Sequence, residues 1–596
     1  MQNDAFGFSD AQKQYLEGFM RGVAARHGIA PGPRSAPPAE AGSPGDLPAD
    51  IHHAAQDRFL VAGRKLTPEE EAKRRQHPLD QWDEIVADAD AGRFPKGTDI
   101  FLRKFFGLFY VAPAQNAFMC RLRIPNGILE THQARAVAAI AERHAGGTAD
   151  VTTRANLQLR EIRAESTIEV LTALQDCGLT SRGAGADNVR NITGSPLAGI
   201  DPQELIDTRP FARALHHHIL NHRELYGLPR KFNIAFDGGG SVSVLADTND
   251  IGFMAASVPG DATAAGGLAE GVYFRLLLGG VTRHGDFARD AGVLVRAADC
   301  VRVAVAVVRV FIAHGDRTDR ERARLKYLLD DWGVDRFLAE VERELGQILP
   351  RLPLGACRPR GTLRKHGHVG VHQQRQPGRN YIGVVLPVGR LTGAQLRGLA
   401  DIAARFGSGT LRLTVWQNLV ISDIADDDVA TAEAAIAGLG LGTTASGVRG
   451  GIVACTGNTG CKFAATDTKG AALRLADHLD RRLALAEPVN IHLTGCPNSC
   501  AQHYVGDIGL LGKRLGDEMI EGYAVLLGGG GDSERALARE IYPDVAADEV
   551  AIVVERMLRG FLAHRQPQES LQAFAARHSV EGLRALFDAT TLPDPD

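Results

Sequence analysis

An internal repeat constrains the fold of this 596-residue chain more than any other feature of its sequence. A shift of 262 positions, from 125 to 387, aligns residues 125–162 with residues 387–424 without a gap. The identical pairs include Pro125 and Pro387, Gly127 and Gly389, Gln133 and Gln395, Ile140 and Ile402, Thr152 and Thr414, Asn156 and Asn418, and Ile162 and Ile424. The sequence therefore predicts a duplicated α/β unit whose two halves are related by a pseudo-twofold axis. A ligand is expected between the halves, because interfaces between domains are favoured sites for pockets.

Each copy of the repeat is predicted to fold as strand, helix and strand. In the first copy the pattern of residues 119–124 is that of a strand before a turn, and a helix is expected from about Thr131 to His144. Residues 150–162 are expected to form one strand with an apolar face and a polar, partly cationic face. Shorter echoes follow in both halves, namely Thr193-Gly194 with Thr456-Gly457 and Leu276–Gly280 with Val525–Gly529.

Four of the eight cysteines lie close together between residues 451 and 500. They form a C-x5-C pair and a C-x3-C pair, Cys455 with Cys461 and Cys496 with Cys500. Four thiolates can ligate an iron–sulfur cluster, and the neighbouring glycines allow the backbone to turn closely around it. A structural zinc site is the main alternative, but zinc sites mostly use C-x2-C to C-x4-C pairs. Four buried thiols without a ligand are the third reading of the pattern.

Composition and charge exclude several classes of function. The net charge is −4, which gives no electrostatic case for binding nucleic acid or an anionic membrane. No apolar run is long enough to span a membrane, and the N-terminus lacks the layout of a signal peptide, so a cytoplasmic protein is expected. A short helix is predicted over residues 9–28, followed by a proline-rich linker over residues 31–48.

Two segments between the repeats are predicted from local composition. Residues 300–310 are rich in β-branched side chains and are expected to form a strand, although Arg302 and Arg309 would also share one face of a helix. Residues 317–326 have the charge spacing of a solvated helix face. The chain shows no glycine-rich dinucleotide fingerprint and no second cysteine quartet, so electrons for any redox reaction are expected from a separate protein.

A set of cations in glycine- or proline-punctuated segments could bind an anion, because Arg and Lys offer charge-assisted hydrogen bonds. Its members are Arg121, Arg123, Arg154, Arg160, Arg190, Arg230 and Lys231. Lys231 and Asn233 alternate along the chain and are expected on the same side of a strand. Each cation alone is more often a surface ion-pair partner, so only their combination with the cysteine pairs indicates a site.

These motifs resemble those of the sirohaem-dependent nitrite and sulfite reductase family from about residue 100 onward, most closely the assimilatory ferredoxin-dependent nitrite reductases. The resemblance is carried by the two cysteine pairs, the duplicated unit, Phe118–Gly127 and Leu228–Asn233. It implies an α+β, three-domain fold built from a duplicated ferredoxin-like unit, with sirohaem and a [4Fe–4S] cluster at the domain junction. It also implies residue boundaries: 1–95 as an N-terminal extension, 96–165 with 360–440 as paired half-domains, 166–350 as the sirohaem and substrate domain, and 441–596 as the cluster and sirohaem domain.

The resemblance further implies roles for individual residues. Cys455, Cys461, Cys496 and Cys500 would ligate the cluster, and Cys500 would also bridge it to the sirohaem iron. The sirohaem would be held by Thr152, Arg154, Gln158, Arg160 and Asn498. The anionic substrate would be bound by Arg121, Arg190, Lys231 and Asn233. The Lys-x-Asn pattern at Lys231 resembles the nitrite reductases, whereas related sulfite reductases generally have Lys-x-Lys.

The function expected from this resemblance is the six-electron reduction of nitrite to ammonium by a monomeric enzyme, with reduced ferredoxin as electron donor. A neutral amide in place of a second cation disfavours sulfite, which can carry two negative charges where nitrite carries one. Residues 358–365 are a weak candidate for the basic surface that binds ferredoxin. Sulfite reduction, an oxygenase acting on a corrin precursor, and a non-enzymatic metalloprotein with a four-cysteine site stay open as alternatives.

Overall fold

The computed structural model describes residues 50–260, 268–444, 447–485 and 488–593. The predicted N-terminal helix and proline-rich linker lie outside these residues. Within them, the helices are α1 Ile51–Val61, α2 Pro68–Arg75, α3 Trp82–Asp90, α4 Asp99–Leu102, α5 Thr131–His144, α6 Thr167–Asp176, α7 Arg209–Asn221, α8 Cys300–His314, α9 Leu325–Trp332, α10 Val334–Leu345, α11 Gly393–Phe406, α12 Val429–Gly438, α13 Thr468–Arg482, α14 Val550–His564, α15 Leu571–Ala576 and α16 Val580–Asp588. No helix in the described part of the chain is long and apolar enough to cross a membrane.

The strands form four five-stranded sheets. Those of the first half are β1 Leu108–Val111, β2 Ala117–Arg121, β3 Ile128–Glu130, β4 Thr148–Val151, β5 Leu157–Ile162, β6 Thr193–Gly194, β7 Ile234–Asp237, β8 Ile251–Val258, β9 Gly271–Leu278 and β10 Arg289–Val295. Those of the second half are β11 Gly370–Gln373, β12 Arg379–Val384, β13 Arg390–Thr392, β14 Thr410–Leu413, β15 Leu419–Ala425, β16 Ile452–Ala454, β17 Ile491–Thr494, β18 Ile508–Leu515, β19 Ile520–Leu527 and β20 Arg539–Ala546.

Two of the sheets contain the repeated unit, and each borrows a strand from the other half. Their strand orders are β1-β2-β5-β4-β13 and β11-β12-β15-β14-β3. The short strands β3 and β13 occupy equivalent positions in the repeat, and each pairs antiparallel with the edge of the opposite sheet. A single hydrophobic core runs under both sheets, from Leu108 in the first half to Leu441 in the second. This exchange fixes the two halves together at the pseudo-twofold axis.

The other two sheets share one topology and confirm the predicted duplication. In the orders β6-β7-β8-β9-β10 and β16-β17-β18-β19-β20 the first three strands are parallel and the last two antiparallel. Parallel neighbours need a crossover connection, and helices α7 and α13 lie in the crossovers from β6 to β7 and from β16 to β17. Each sheet has its own hydrophobic core. The predicted α+β fold with duplicated halves is therefore confirmed.

The prediction of one strand over residues 150–162 was wrong, because the segment is a hairpin of β4 and β5. Their register pairs Val151 with Leu157 and Asp150 with Gln158. The turn is stabilised by bonds from the Thr152 amide to the Asn156 carbonyl (2.8 Å) and from the Ala155 amide to the Thr152 carbonyl (3.0 Å). The second half repeats this turn, since the Thr414 amide donates to the Asn418 carbonyl at 3.0 Å.

The predictions for residues 300–310 and 317–326 were also wrong. Residues 300–310 belong to α8, in which ten of fifteen residues are buried, so tertiary packing overrides the β-branched composition. Residues 317–324 form no helix, and Arg317 is 1% exposed rather than solvated. Arg317 forms an ion pair with Glu70 of α2 (2.6 Å), so the N-terminal helices bury the charge that the sequence pattern left on the surface.

The two Thr-Gly pairs are not structural equivalents. Thr193 pairs with Ala235 between β6 and β7, whereas Val453 pairs with His492 between β16 and β17. Ile234 and Ile491 occupy matching positions against the next strands, so Thr193 corresponds to Val453, three residues before Thr456. The Leu276–Gly280 and Val525–Gly529 elements do correspond, because both end the fourth strand of their sheets.

Candidate cofactor and anion site

Both cysteine pairs follow the carboxyl ends of neighbouring parallel strands. Cys455 comes directly after β16 and Cys496 two residues after β17. The Gly495 amide donates to the Cys455 Sγ at 3.3 Å, and the Thr468 hydroxyl donates to the Cys455 carbonyl at 2.7 Å. Gly457 has a φ of +74°, and a Cβ there would lie 2.7 Å from the Thr468 amide nitrogen, so the loop needs glycine at this position.

The four thiols are electrostatic neighbours. Burial raises the pKa of Cys496, and the nearby Cys461 and Cys455 raise it further. The Cys500 thiol is open to solvent but surrounded by protein, and this desolvation, with Cys455 and Cys496, raises its pKa to about 11, although Lys231 and Arg121 act in the opposite direction. In the described part of the chain, no three His, Cys, Asp or Glu side chains are arranged to hold one metal ion directly.

The first half of the chain anchors both cysteine pairs. The Thr153 hydroxyl, in the turn between β4 and β5, donates to the Cys500 carbonyl at 3.0 Å. Arg160 on β5 donates to the Thr456 hydroxyl at 2.6 Å and to the Gly460 carbonyl at 3.1 Å. The cysteine loops of the second half therefore lie directly against the first half.

Four cations of the first half lie near one another, and two of them, Arg121 and Lys231, also lie near Cys500. Burial lowers the pKa values of Lys231 to about 7, of Arg154 to about 9 and of Arg121 to about 10, and lowers that of Arg190 well below its ordinary value. The positive charges of Arg121 and Arg154 lower the pKa of Arg190 further, and the charge of Arg190 lowers that of Lys231. Like charges repel, so this grouping is unfavourable unless an anion binds among them.

The carboxylates nearest to these cations already have other partners. Asp187 accepts a bidentate pair from Arg320, at 2.9 and 3.0 Å, and also contacts Lys73 and Arg230. Asp250 is paired with Arg324 at 2.7 Å. Among the described residues, the side chains of Arg121, Lys231 and Asn233 have no hydrogen-bond partner, although Arg121 stacks on the Phe109 ring at 4.6 Å. The site therefore presents uncompensated positive charge.

Lys231 and Asn233 flank a residue that fixes their orientation. Phe232 between them is fully buried, and its backbone bridges the loop of Arg190: the Arg190 amide donates to the Phe232 carbonyl at 2.8 Å. Asn233 is anchored by its amide, which donates to the Asp250 carboxylate at 2.8 Å. The segment is an isolated bridge before β7 rather than a full strand, and it carries both predicted residues beside the cation group.

Two family models match this chain, and each matches it twice. The model described as the nitrite and sulphite reductase 4Fe-4S domain matches residues 185–349 and 445–592. The model of the nitrite/sulfite reductase ferredoxin-like half domain matches residues 112–177 and 372–439.

The chain belongs to the nitrite and sulfite reductase family.

Its relatives in this family span most of its length. The ferredoxin–nitrite reductase of Synechococcus elongatus is 38% identical over 466 residues, which cover 76% of this chain and 88% of the relative. The assimilatory ferredoxin-dependent nitrite reductase of Haloferax mediterranei is 34% identical, with 78% and 82% covered. The solved structure of the Mycobacterium tuberculosis NirA protein matches with a TM-score of 0.81 and 30% identity, covering 88% of this chain and 99% of that structure.

Among the residues that the family resemblance assigns to sirohaem, Arg154 fits an anionic group most clearly. Its terminal nitrogens donate to the Asn249 side chain (2.9 Å) and the Asn191 carbonyl (2.8 Å), while its buried Nε has no partner. Thr152 accepts a bond from the Arg154 amide at 3.2 Å. Asn498 accepts one from Arg283 at 2.9 Å, beside the C-x3-C pair.

The other two assigned residues, Gln158 and Arg160, bind each other. The Arg160 guanidinium donates to the Gln158 Oε1 at 2.8 Å and to the Asp150 carboxylate at 3.2 Å, besides its bonds to the first cysteine loop. The structure thus places Arg160 against the first cysteine loop. Two further cations of the sequence set are structural: Arg123 bonds the Gly183 and Val189 carbonyls, and Arg230 faces Asp187.

The pseudo-twofold counterpart of the site in the family fold is filled by side chains. Arg154 corresponds in the repeat to Trp416, whose ring packs on His368 (centroids 5.9 Å apart) and His492 (6.0 Å). The strand pairing that matches Thr193 with Val453 also matches Arg190 with Gly450, which has no side chain. The duplicated fold therefore keeps one cationic site and closes the other.

The sequence pattern did not single out several residues that contribute to the site. Burial lowers the pKa of Lys104, and the nearby charges of Arg190 and Lys462 lower it further. The buried Asn191 joins the Ile124 backbone to the turn carbonyls of Arg154 and Ala155. No local spacing signals these contacts, because each joins segments far apart in the chain.

Proposed function

We propose that this chain reduces nitrite to ammonium by six electrons, with reduced ferredoxin as donor. The observation that carries the proposal is the group of Arg121, Arg190 and Lys231: none of the three forms an ion pair with a described carboxylate, and Arg121 and Lys231 interact electrostatically with Cys500. A cysteine that could ligate a redox centre thus lies beside a pocket suited to a small anion. The names of the relatives, ferredoxin–nitrite reductases, agree with this reading.

The residues present fit the cofactors of the family. Cys455, Cys461, Cys496 and Cys500 would hold a [4Fe–4S] cluster, whose thiolate ligation needs four such residues. The partnerless Nε of Arg154 would receive a carboxylate of sirohaem, and Thr152, Gln158 and Asn498 would help to hold the group. When bound, the two groups supply electron transfer and an iron centre that binds the substrate. The protein supplies binding, orientation and electrostatics.

The pocket side chains would act on the anion in different ways. Arg121 and Arg190 offer positive charge to the oxygens of nitrite, and such preorganised donors stabilise charge that develops during reaction. Lys231, with a pKa lowered to about 7 by burial, can both bind the anion and give up a proton near neutral pH. Asn233 would orient the substrate through its neutral amide without adding a charge.

Asn233 also favours nitrite over sulfite. A second lysine at this position would attract a sulfite dianion twice as strongly as a nitrite monoanion. The neutral amide of Asn233 adds no such attraction. Residues 358–365 remain a proposed docking surface for ferredoxin. Its four cations have partners in the structure: Arg360 with Asp237 (2.8 Å), Lys365 with Asp507 (2.8 Å), Arg358 with Glu270 (3.1 Å) and Arg364 with the Ser241 hydroxyl (3.2 Å). A monomer in the cytoplasm, with the domain boundaries given above, completes the proposal.

The test is turnover by the purified chain with reduced ferredoxin, supplied with nitrite or sulfite. The proposal expects ammonium from nitrite, a visible sirohaem spectrum and iron with labile sulfide in the protein. Preferred turnover of sulfite would identify a sulfite reductase instead. A colourless protein that contains zinc would identify a non-enzymatic metalloprotein.

A further inference from the structure

The guanidinium of Arg160 makes four hydrogen bonds within the protein. Two go to the first cysteine loop, Cys455–Cys461, and two go to side chains of the β4–β5 hairpin. Arg160 is 6% exposed and donates from Nε and both terminal nitrogens: to Asp150 at 3.2 Å, to Gly460 at 3.1 Å, and to Gln158 and Thr456 at 2.8 and 2.6 Å. An arginine has five N–H donors, and four hydrogen bonds use four of them. Little donor capacity is left for a further anion.

The two loop contacts join opposite ends of the C-x5-C segment. Thr456 follows Cys455 directly, and Gly460 precedes Cys461 directly. A Cβ on Gly460 would lie 3.1 Å from the Arg160 guanidinium nitrogen and 2.9 Å from the Thr456 methyl group, so the loop backbone lies close against the arginine. One planar guanidinium therefore holds both cysteines of this pair at a fixed separation.

Asp150 connects Arg160 to both halves of the protein. Its carboxylate, 4% exposed, also binds Arg390 of the exchanged strand β13 (2.8 Å) and lies 3.8 Å from Lys469 of α13. Lys469 in turn donates to the Val388 carbonyl. Three cations thus share this carboxylate, and the loop also contacts an acid, because Asn458 donates to Glu521 at 2.6 Å.

We propose that Arg160 is a positioning residue for the cluster rather than a sirohaem ligand: it clamps the Cys455–Cys461 loop through Thr456 and Gly460 and raises the reduction potential of the cluster. The proposal rests on the proposed function only in that these cysteines bind a cluster. Hydrogen bonds and net charge around a cluster set its potential, and a cation stabilises the more negative, reduced form. Replacing a residue that orients the ligands of a metal site through hydrogen bonds typically lowers the affinity for the metal.

The experiment uses the purified, cofactor-loaded chain and needs no turnover. Three variants separate charge from clamping: Arg160→Lys keeps the charge but cannot reach both loop acceptors, Arg160→Gln removes both features, and Thr456→Val removes only a loop acceptor. Arg163→Gln, at an exposed position on the same segment, is the matched control. Loss of cluster absorbance to a chelator, sirohaem absorbance and the cluster midpoint in a redox titration followed by EPR are measured for each.

The clamp predicts that Arg160→Lys and Thr456→Val lose the cluster about 10-fold faster than the control while keeping sirohaem, with no additive effect in the double variant. Arg160→Gln should also shift the midpoint to a more negative potential, which Arg160→Lys should not. Cluster loss at the control rate in Arg160→Lys and Thr456→Val would overturn the proposal. Loss of sirohaem with an unchanged cluster in Arg160→Gln would instead make Arg160 a sirohaem ligand. Absence of nitrite turnover would refute the proposed function and leave these measurements interpretable.

Discussion

Replacing Asn233 with lysine should shift the preference of this protein from nitrite toward sulfite. The backbone N–H of Asn233 donates a hydrogen bond to the Asp250 carboxylate at 2.8 Å, and the residue lies beside Lys231, so a lysine there would place a second ammonium in the anion pocket. The substitution leaves the backbone anchor in place, because the bond to Asp250 uses the main-chain nitrogen. The variant therefore changes the charge of the pocket and not its framework.

The expected magnitude follows from Coulomb's law. Two unit charges about 5 Å apart interact by about 3 kcal/mol at an effective dielectric constant of about 20. Sulfite as a dianion gains this term twice and nitrite once, a difference of about 3 kcal/mol or about 100-fold. Burial and cationic neighbours already lower the pKa of Lys231 to about 7, so the added lysine will be only partly protonated. We expect the ratio of kcat/KM for nitrite to that for sulfite to fall about 10-fold to 100-fold.

The assay measures kcat/KM for both anions with one reduced donor, in Asn233→Lys and in the neutral control Asn233→Gln. The control should lose activity toward both anions without a comparable change in their ratio. An unchanged or higher nitrite preference in Asn233→Lys, in protein that retains sirohaem and cluster, would refute the electrostatic account of substrate choice.

Three further predictions concern Lys231 of the cation group, the nearby carboxylate of Asp187 and the proposed cluster ligand Cys461. The ammonium form of Lys231 exists below its pKa of about 7, so nitrite affinity in an optical titration should fall as pH rises through 7; Lys231→Arg should move the fall to higher pH. Against the burial that would raise it, Lys73 and Arg320 lower the pKa of Asp187 to about 2, so its carboxylate stabilises the fold above about pH 4 and loses that contribution as pH falls through about 2. Asp187→Asn should therefore destabilise the protein by about 3–5 kcal/mol in denaturant unfolding at pH 7, and a wild-type midpoint would contradict this. Cys461→Ser should lose most of its iron and labile sulfide, measured per chain; full retention would remove this cysteine from the ligand set.

The duplication could be predicted from sequence because identical residues recur at a constant shift of 262 positions, from 125 to 387, and the cysteine pairs because their spacing is local. The hairpin over residues 150–162 could not, since its turn contains five residues, Thr152 to Asn156. Val151 and Leu157 are cross-strand partners and share a face, so an odd-length turn leaves the alternation unbroken. A single strand and this hairpin therefore show the same alternation of apolar and polar residues in the sequence.

Other parts of the fold and site depend on contacts between distant segments. Helix α8 is buried on most of its sides, which removes the 3.6-residue period and leaves only its β-branched composition visible. Arg317 appears solvated until the N-terminal helices supply Glu70. Arg160 lies in a motif typical of sirohaem binding, and only the folded structure brings Thr456 and Gly460 to its guanidinium.

We propose that the cysteine loops and the cation group form one site that reduces nitrite. The most direct test counts products: the purified chain is given a limiting amount of nitrite and excess reduced ferredoxin, and ammonium and oxidised ferredoxin are measured together. We expect one ammonium and six oxidised one-electron donors for each nitrite consumed. Nitrite left unconsumed by protein that contains both sirohaem and the cluster would contradict it.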